Sequence, residues 1–164
     1  MASVVTINRP DVVALIEEAA NKLTDGLLLD THIALWLDSG DNRLRPSTRA
    51  LVDGCWQNGG TIFLSAVTVW EIALLVDTGR IDLDIPVEAW VERFLDRPGI
   101  EAVPLGYRAA SRAYQLHHFE HRDPADRLLI STAIDLACPL VTYDERIARF
   151  GERRGRQYRF AIGA

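Results

Sequence analysis

The segment Gly26–His32, GLLLDTH, decides the fold. Three leucines without polar alternation predict a strand buried on both faces, as in the middle of a parallel sheet. Asp30 then stands at the carboxyl end of that strand. In open α/β sheets this is the edge where ligands bind. The remaining segments alternate in the same rhythm. Thr61–Leu64 (TIFL), Ile100–Leu105 and Pro139–Thr142 (PLVT) are further core strands. Helices are predicted over Thr31–Leu37, Pro46–Asn58, Ala66–Thr78, Pro86–Leu95, Tyr107–His118, Ala125–Ala137 and Glu145–Phe150. Ile81–Ile85 alternates, which suits either a small edge strand or an extended linker. The RQYRFAI stretch offers a last strand. Strands alternating with helices predict an α/β class with a parallel sheet of four or five strands, helices on both faces and right-handed crossovers.

The chain has 164 residues, 48% of them hydrophobic, enough for one domain with a sizeable core. It lacks an apolar run long enough for a membrane helix and lacks a signal-peptide pattern, so a cytoplasmic protein is expected. Cys55 and Cys138 are far apart, without metal-ligand spacing, and read as reduced core residues. The net charge is −5, unevenly spread. Residues 146–164 carry six arginines and one glutamate, while the rest is strongly acidic. An acidic body disfavours simple electrostatic docking on nucleic acid. It leaves open a nucleic-acid substrate reached through cations, which reverse the local field.

Four acids fall near one sheet edge. Asp30 ends the first core strand and Asp144 follows the fourth. Asp126 lies in the first turn of the apolar helix in HRDPADRLLISTA. Glu71 lies within the apolar run VTVWEIALL. An acid buried there costs several kcal/mol, on the order of 2–7 for a polar group without compensation, unless it is paired or binds metal. Crowded carboxylates repel, and a cation among them keeps them ionised. Hard oxygen ligands select Mg²⁺ or Mn²⁺ over zinc. Such a cation activates water and neutralises phosphate oxygens, which is nuclease chemistry. Each acid also has a plain structural role open to it. Asp30, Asp126 and Asp144 suit caps or turns, and Glu71 suits a buried pair with an arginine.

In order and at similar spacing, LLLDTHIALWL, SAVTVWEIALL, HRDPADRLLISTA and LVTYDERIARFG resemble the motifs of PIN-domain ribonucleases, most closely the VapC toxins of type II toxin–antitoxin pairs. The resemblance covers Leu27–Gly151. It implies a PIN-like α/β/α sandwich, Mg²⁺- or Mn²⁺-dependent endoribonuclease activity on RNA, inhibition by a cognate antitoxin and a homodimer. It carries Asp30, Glu71, Asp126 and Asp144 onto the family's acidic positions. Asp123 is placed outside the inner set. Thr31 and Thr142 either orient carboxylates or act as cap and strand residues. Arg127 either contacts phosphate or pairs with an acid, and His32 reads as a packed or surface histidine. The chain divides into a strand–helix arm (1–26), a nuclease domain (27–151) and an Arg-rich tail (152–164). The arm departs from the family pattern and resembles the start of a ribbon-helix-helix antitoxin. The competing classes are a catalytically inactive PIN-like module binding RNA or protein, and an aspartyl-phosphate phosphohydrolase. The second class wants an Asp where His32 stands.

Overall fold

The computed structural model describes residues 25–158 and the backbone of residues 162–163. The predicted strand and helix of residues 1–24 lie outside the described residues. Five strands form one sheet: β1 (Gly26–Leu29), β2 (Thr61–Ser65), β3 (Ile100–Val103), β4 (Leu140–Val141) and β5 (Ile162–Gly163). Their order is β3-β2-β1-β4-β5, with every neighbouring pair parallel. Among the described residues, seven helices accompany them: α1 (Thr31–Ser39), α2 (Pro46–Gln57), α3 (Ala66–Asp77), α4 (Val87–Leu95), α5 (Tyr107–Arg112), α6 (Pro124–Leu136) and α7 (Glu145–Tyr158).

β1 is central, and all three of its leucines are fully buried. Leu27 and Leu29 enter a core with Ile33, Val52, Ile72, Trp90 and Phe94. Leu28 enters the opposite core with Val67, Leu129, Ile130 and Ile147. This is the two-sided burial that an unbroken apolar run predicts, and each leucine contributes roughly 1.5–3 kcal/mol by leaving water. Gly26 begins the strand because nothing larger fits. A Cβ there would stand 2.7 Å from the Phe63 ring and 3.1 Å from the Thr61 carbonyl oxygen. Cys55 and Cys138 are buried free thiols. No helix among the described residues is long and apolar enough to cross a membrane.

Of the two alternatives for residues 81–85 the linker is found, and three other elements differ from expectation. Residues 81–85 form no strand; Ile81, Leu83 and Ile85 pack on the first core as an extended linker. The helix predicted to reach His118 stops at Arg112. The carbonyl that would carry it on, that of Ala113, accepts from the Arg127 guanidinium at 3.0 Å. The helix predicted to stop at Phe150 continues to Tyr158, where the ring of Tyr158 stacks on that of Phe150 with centroids 5.8 Å apart. The last strand is shorter than RQYRFAI and lies beyond that helix.

Candidate active site

The strand order reverses direction at β1. From there the chain winds one way to β2 and β3, and the other way to β4 and β5. The crevice at the carboxyl ends of β1 and β4 is therefore the topological switch point, where this architecture leaves room for a ligand. Asp30 sits there as the cap of α1, accepting from the Thr31 amide at 2.6 Å. Its other oxygen accepts from the buried Thr142 hydroxyl, at the end of β4, at 2.5 Å. Thr31 in turn donates its hydroxyl to the Glu71 carboxylate on α3. Both threonines thus orient carboxylates, and Thr31 also opens a helix.

Asp144 follows β4 and caps α7, accepting from the Arg146 and Ile147 amides at 2.7 and 3.2 Å. The Arg146 guanidinium closes on the same carboxylate at 2.9 Å. Asp123 is the cap of α6, accepting from the Ala125 amide at 2.9 Å. Asp126, in the first turn of α6, is bonded to His121 Nδ1 at 2.8 Å. Arg146 donates to the other ring nitrogen of His121. Because a guanidinium only donates, Nε2 must accept, so a neutral His121 carries its proton on Nδ1 and donates to Asp126. An unbroken chain, Asp144–Arg146–His121–Asp126, therefore links two of the acids.

The electrostatics tie these acids together. Burial pushes Asp30 above the usual carboxylate range despite its bonds to Thr142 and Thr31, and the charge of Asp144 adds to the rise. Burial likewise raises Glu71, against the Thr31 hydrogen bond, with Asp30 and Asp123 adding repulsion. Asp126 is raised to about 6, first by burial, then by Asp123, with Asp144 and Asp30 contributing. Asp144 goes the other way: burial raises it, but the side-chain and backbone hydrogen bonds of Arg146 outweigh that and leave it lowered. The four predicted acids thus share one field, and Asp123, set outside them in the sequence reading, acts on two of them. Its position three residues before Asp126, with Pro124 opening the helix, was the available signal.

Arg127 does other work than expected, while His32 is the surface histidine the sequence suggests. Arg127 pairs with no acid among the described residues. It is buried and donates to the carbonyls of His121, Ala113 and Phe119, fastening the loop that holds His121. His32 is exposed, its ring 5.6 Å from that of Trp36. No local sequence feature marks His121 or Arg146; only the fold brings His121 beside α7.

The donor set is oxygen-rich, and its members repel one another, which suits a hard divalent cation. As the side chains stand, no three carboxylate, histidine or thiolate groups among the described residues enclose a common ion position. Asp126 and Asp144 are instead engaged by His121 and Arg146.

Residues 27–153 match the PIN domain family. The chain belongs to that family. Within it, the chain is 31% identical over 121 residues to Ribonuclease VapC22 of Mycobacterium tuberculosis, an alignment spanning 74% of this chain and 88% of the relative. Its relationship is therefore to the VapC branch of PIN-domain proteins. Among solved structures, it resembles a chain in the crystal structure of VapBC2 from Rickettsia felis bound to a promoter DNA fragment. The TM-score is 0.58 and the identity 17%, covering 84% of this chain and 97% of the other. It also resembles a chain of FitAcB from Neisseria gonorrhoeae, with a TM-score of 0.49, 20% identity and coverage of 84% and 96%. The Rickettsia likeness supports the parallel α/β/α architecture expected for a PIN domain.

Proposed function

We propose that this PIN-domain protein is a metal-dependent endoribonuclease, the toxin of a type II toxin–antitoxin pair, that hydrolyses RNA phosphodiester bonds. The observation that carries the reading is the gathering of acids from four separate segments at the β1/β4 crevice, on a chain related to a named VapC ribonuclease. Asp30, Glu71, Asp126 and Asp144 are the proposed ligands of Mg²⁺ or Mn²⁺, with Asp123 beside them. When bound, such a cation offsets phosphate charge and acidifies water. The chain's own residues hold Asp30 and Glu71 in fixed rotamers through Thr142 and Thr31. His121 and Arg146 hold Asp126 and Asp144 until the ion and substrate arrive. The cognate antitoxin and a second copy of the chain are the proposed protein partners, and residues 1–26 the proposed arm beside the nuclease unit. The retained acids weigh against an inactive RNA- or protein-binding module.

The test is cleavage of an RNA oligonucleotide by the purified chain with Mg²⁺ or Mn²⁺, beside a chelated control and Asp30→Asn. Cleavage that needs the added ion and is lost in Asp30→Asn is expected. Equal cleavage by the variant, or undiminished cleavage in chelator, would remove the assignment.

A further inference from the structure

A cavity of about 570 Å³ opens beside the carboxylate edge, between the loop of His118–His121 and one face of α7. Four arginines line it, Arg146, Arg149, Arg153 and Arg154, against one carboxylate, Glu120. The spacing 146, 149, 153 is one stripe of a helix, and at 1.5 Å per residue it runs about 10 Å. Arg156, one of the tail arginines, is not part of the lining. The cavity joins the carboxylate edge directly, because Arg146 and His121 line it and also bond Asp144 and Asp126.

The guanidinium groups farther along α7 are lightly held. Arg149 is 62% exposed; its Nε donates to the Glu145 carbonyl at 3.2 Å, and the Glu145 carboxylate lies 3.8 Å from its outer nitrogen. Arg154 reaches Gln157 at 3.4 Å. Arg153 is exposed and has no hydrogen-bond or ion-pair partner among the described residues. Cations collected in a concave wall and left without strong partners raise the local concentration of an anion. The rest of the chain is acidic, so this wall is the chain's own compensation for that field.

We propose that the α7 arginines Arg149, Arg153 and Arg154 are a track for the phosphate backbone of single-stranded RNA, holding nucleotides that flank the bond at the carboxylates. This rests on the ribonuclease reading, and deepens it by naming where the rest of the substrate lies. A strand with one phosphate among acids has flanking phosphates that those acids repel. The surface continuous with the site on this side is the arginine wall. Contacts to phosphate carry no sequence information, so the track sets register and affinity and leaves base choice to other surfaces.

The experiment measures binding of a fluorescent single-stranded RNA oligonucleotide to full-length Asp30→Asn protein. The same protein carrying Arg149→Ala and Arg153→Ala is compared across a salt series. Loss of about tenfold in affinity is expected, with the slope of log affinity against log salt reduced by about 1.4, two contacts at 0.7 each. Arg149→Lys with Arg153→Lys should restore both, and thermal melts establish that all variants fold. Unchanged affinity and slope would overturn the track. So would an RNA affinity that holds while binding of an acidic peptide falls, because the wall would then serve a protein partner. The two readings fail separately. RNA binding that depends on these arginines, in a wild-type chain that cleaves nothing, removes the nuclease and leaves the track. Cleavage by wild type with arginine-independent binding does the reverse.

Discussion

The hydroxyl of Thr142 donates to Asp30 Oδ2 at 2.5 Å, joining residues 112 positions apart across the β1/β4 crevice. The same hydroxyl accepts from the Asp144 amide at 3.0 Å, so one buried side chain sets two acids. Valine has the same shape and no hydroxyl. Losing a hydrogen bond to a charged group costs about 1.5–3 kcal/mol, which is roughly 10- to 100-fold in rate if it is felt in the transition state. Thr142→Val is expected to lower kcat/KM on RNA by that factor. A steady-state assay giving wild-type values would show that Asp30 needs no such anchor.

Burial pushes Asp30 above the usual carboxylate range, so its charged form costs the metal-free fold. Asparagine keeps the shape and the acceptor for the Thr31 amide, turns an amide NH2 toward the Thr142 hydroxyl, which can accept from it, and removes the charge. Metal-free Asp30→Asn is therefore expected to be more stable than wild type while inactive, a trade found where sites store strain. A gain of about 1 kcal/mol corresponds to roughly 2–4 °C for a chain of this size. Scanning calorimetry in chelator reads it directly, and a lower midpoint than wild type would contradict it.

Asp126 gives a pH dependence whose sign is fixed. Its folded value of about 6 lies above the ordinary 3.8, so between these the folded state holds more proton than the unfolded one. The stability from this group is present at low pH and lost as pH rises through about 6. Metal-free protein should gain from Asp126 on going from pH 7 to pH 4.5, and Asp126→Asn should lack that component. Thermal midpoints in chelator across this range are the measurement. Identical pH profiles for wild type and variant would refute the assignment.

Arg127 serves the fold. Removing its guanidinium leaves the carbonyls of Ala113, Phe119 and His121 short of a donor in a buried place. Arg127→Met should destabilise by about 3 kcal/mol, given about 1–3 for each unsatisfied buried group and partial relaxation. Lysine should not rescue it, since an ammonium cannot present the planar fork. Urea unfolding distinguishes this from a surface role, for which the change would stay within about 0.5 kcal/mol.

The strands were legible because their apolar runs are short and unbroken: LLL, TIFL and PLVT reappear as β1, β2 and β4. Asp30 and Asp144 were legible as site candidates because strand ends at this sheet edge are fixed by topology. Glu71 was legible because an acid in an apolar run demands an explanation. What stayed hidden depends on contacts between distant segments. Ala109, Ala113 and Leu116 keep helical spacing and are buried, but Arg127 takes the Ala113 carbonyl and the helix ends. Gly151 reads as a stop, but good helix formers around it and the packing of Phe150 against Phe119 and Tyr158 carry α7 past it. The pairing of His121 with Arg146 spans 25 residues and has no local signature.

The split of the crevice between β1 and β4 also bears on synthesis. A ribosome that has released only the first 120 residues has made Asp30 and Glu71, but not Thr142, Asp126 or Asp144. The central strand then lacks its β4 neighbour, and the first two acids have nothing to face. The acidic edge is thus complete only once the segment through Arg146 has left the exit tunnel, so the proposed site is absent from shorter nascent chains.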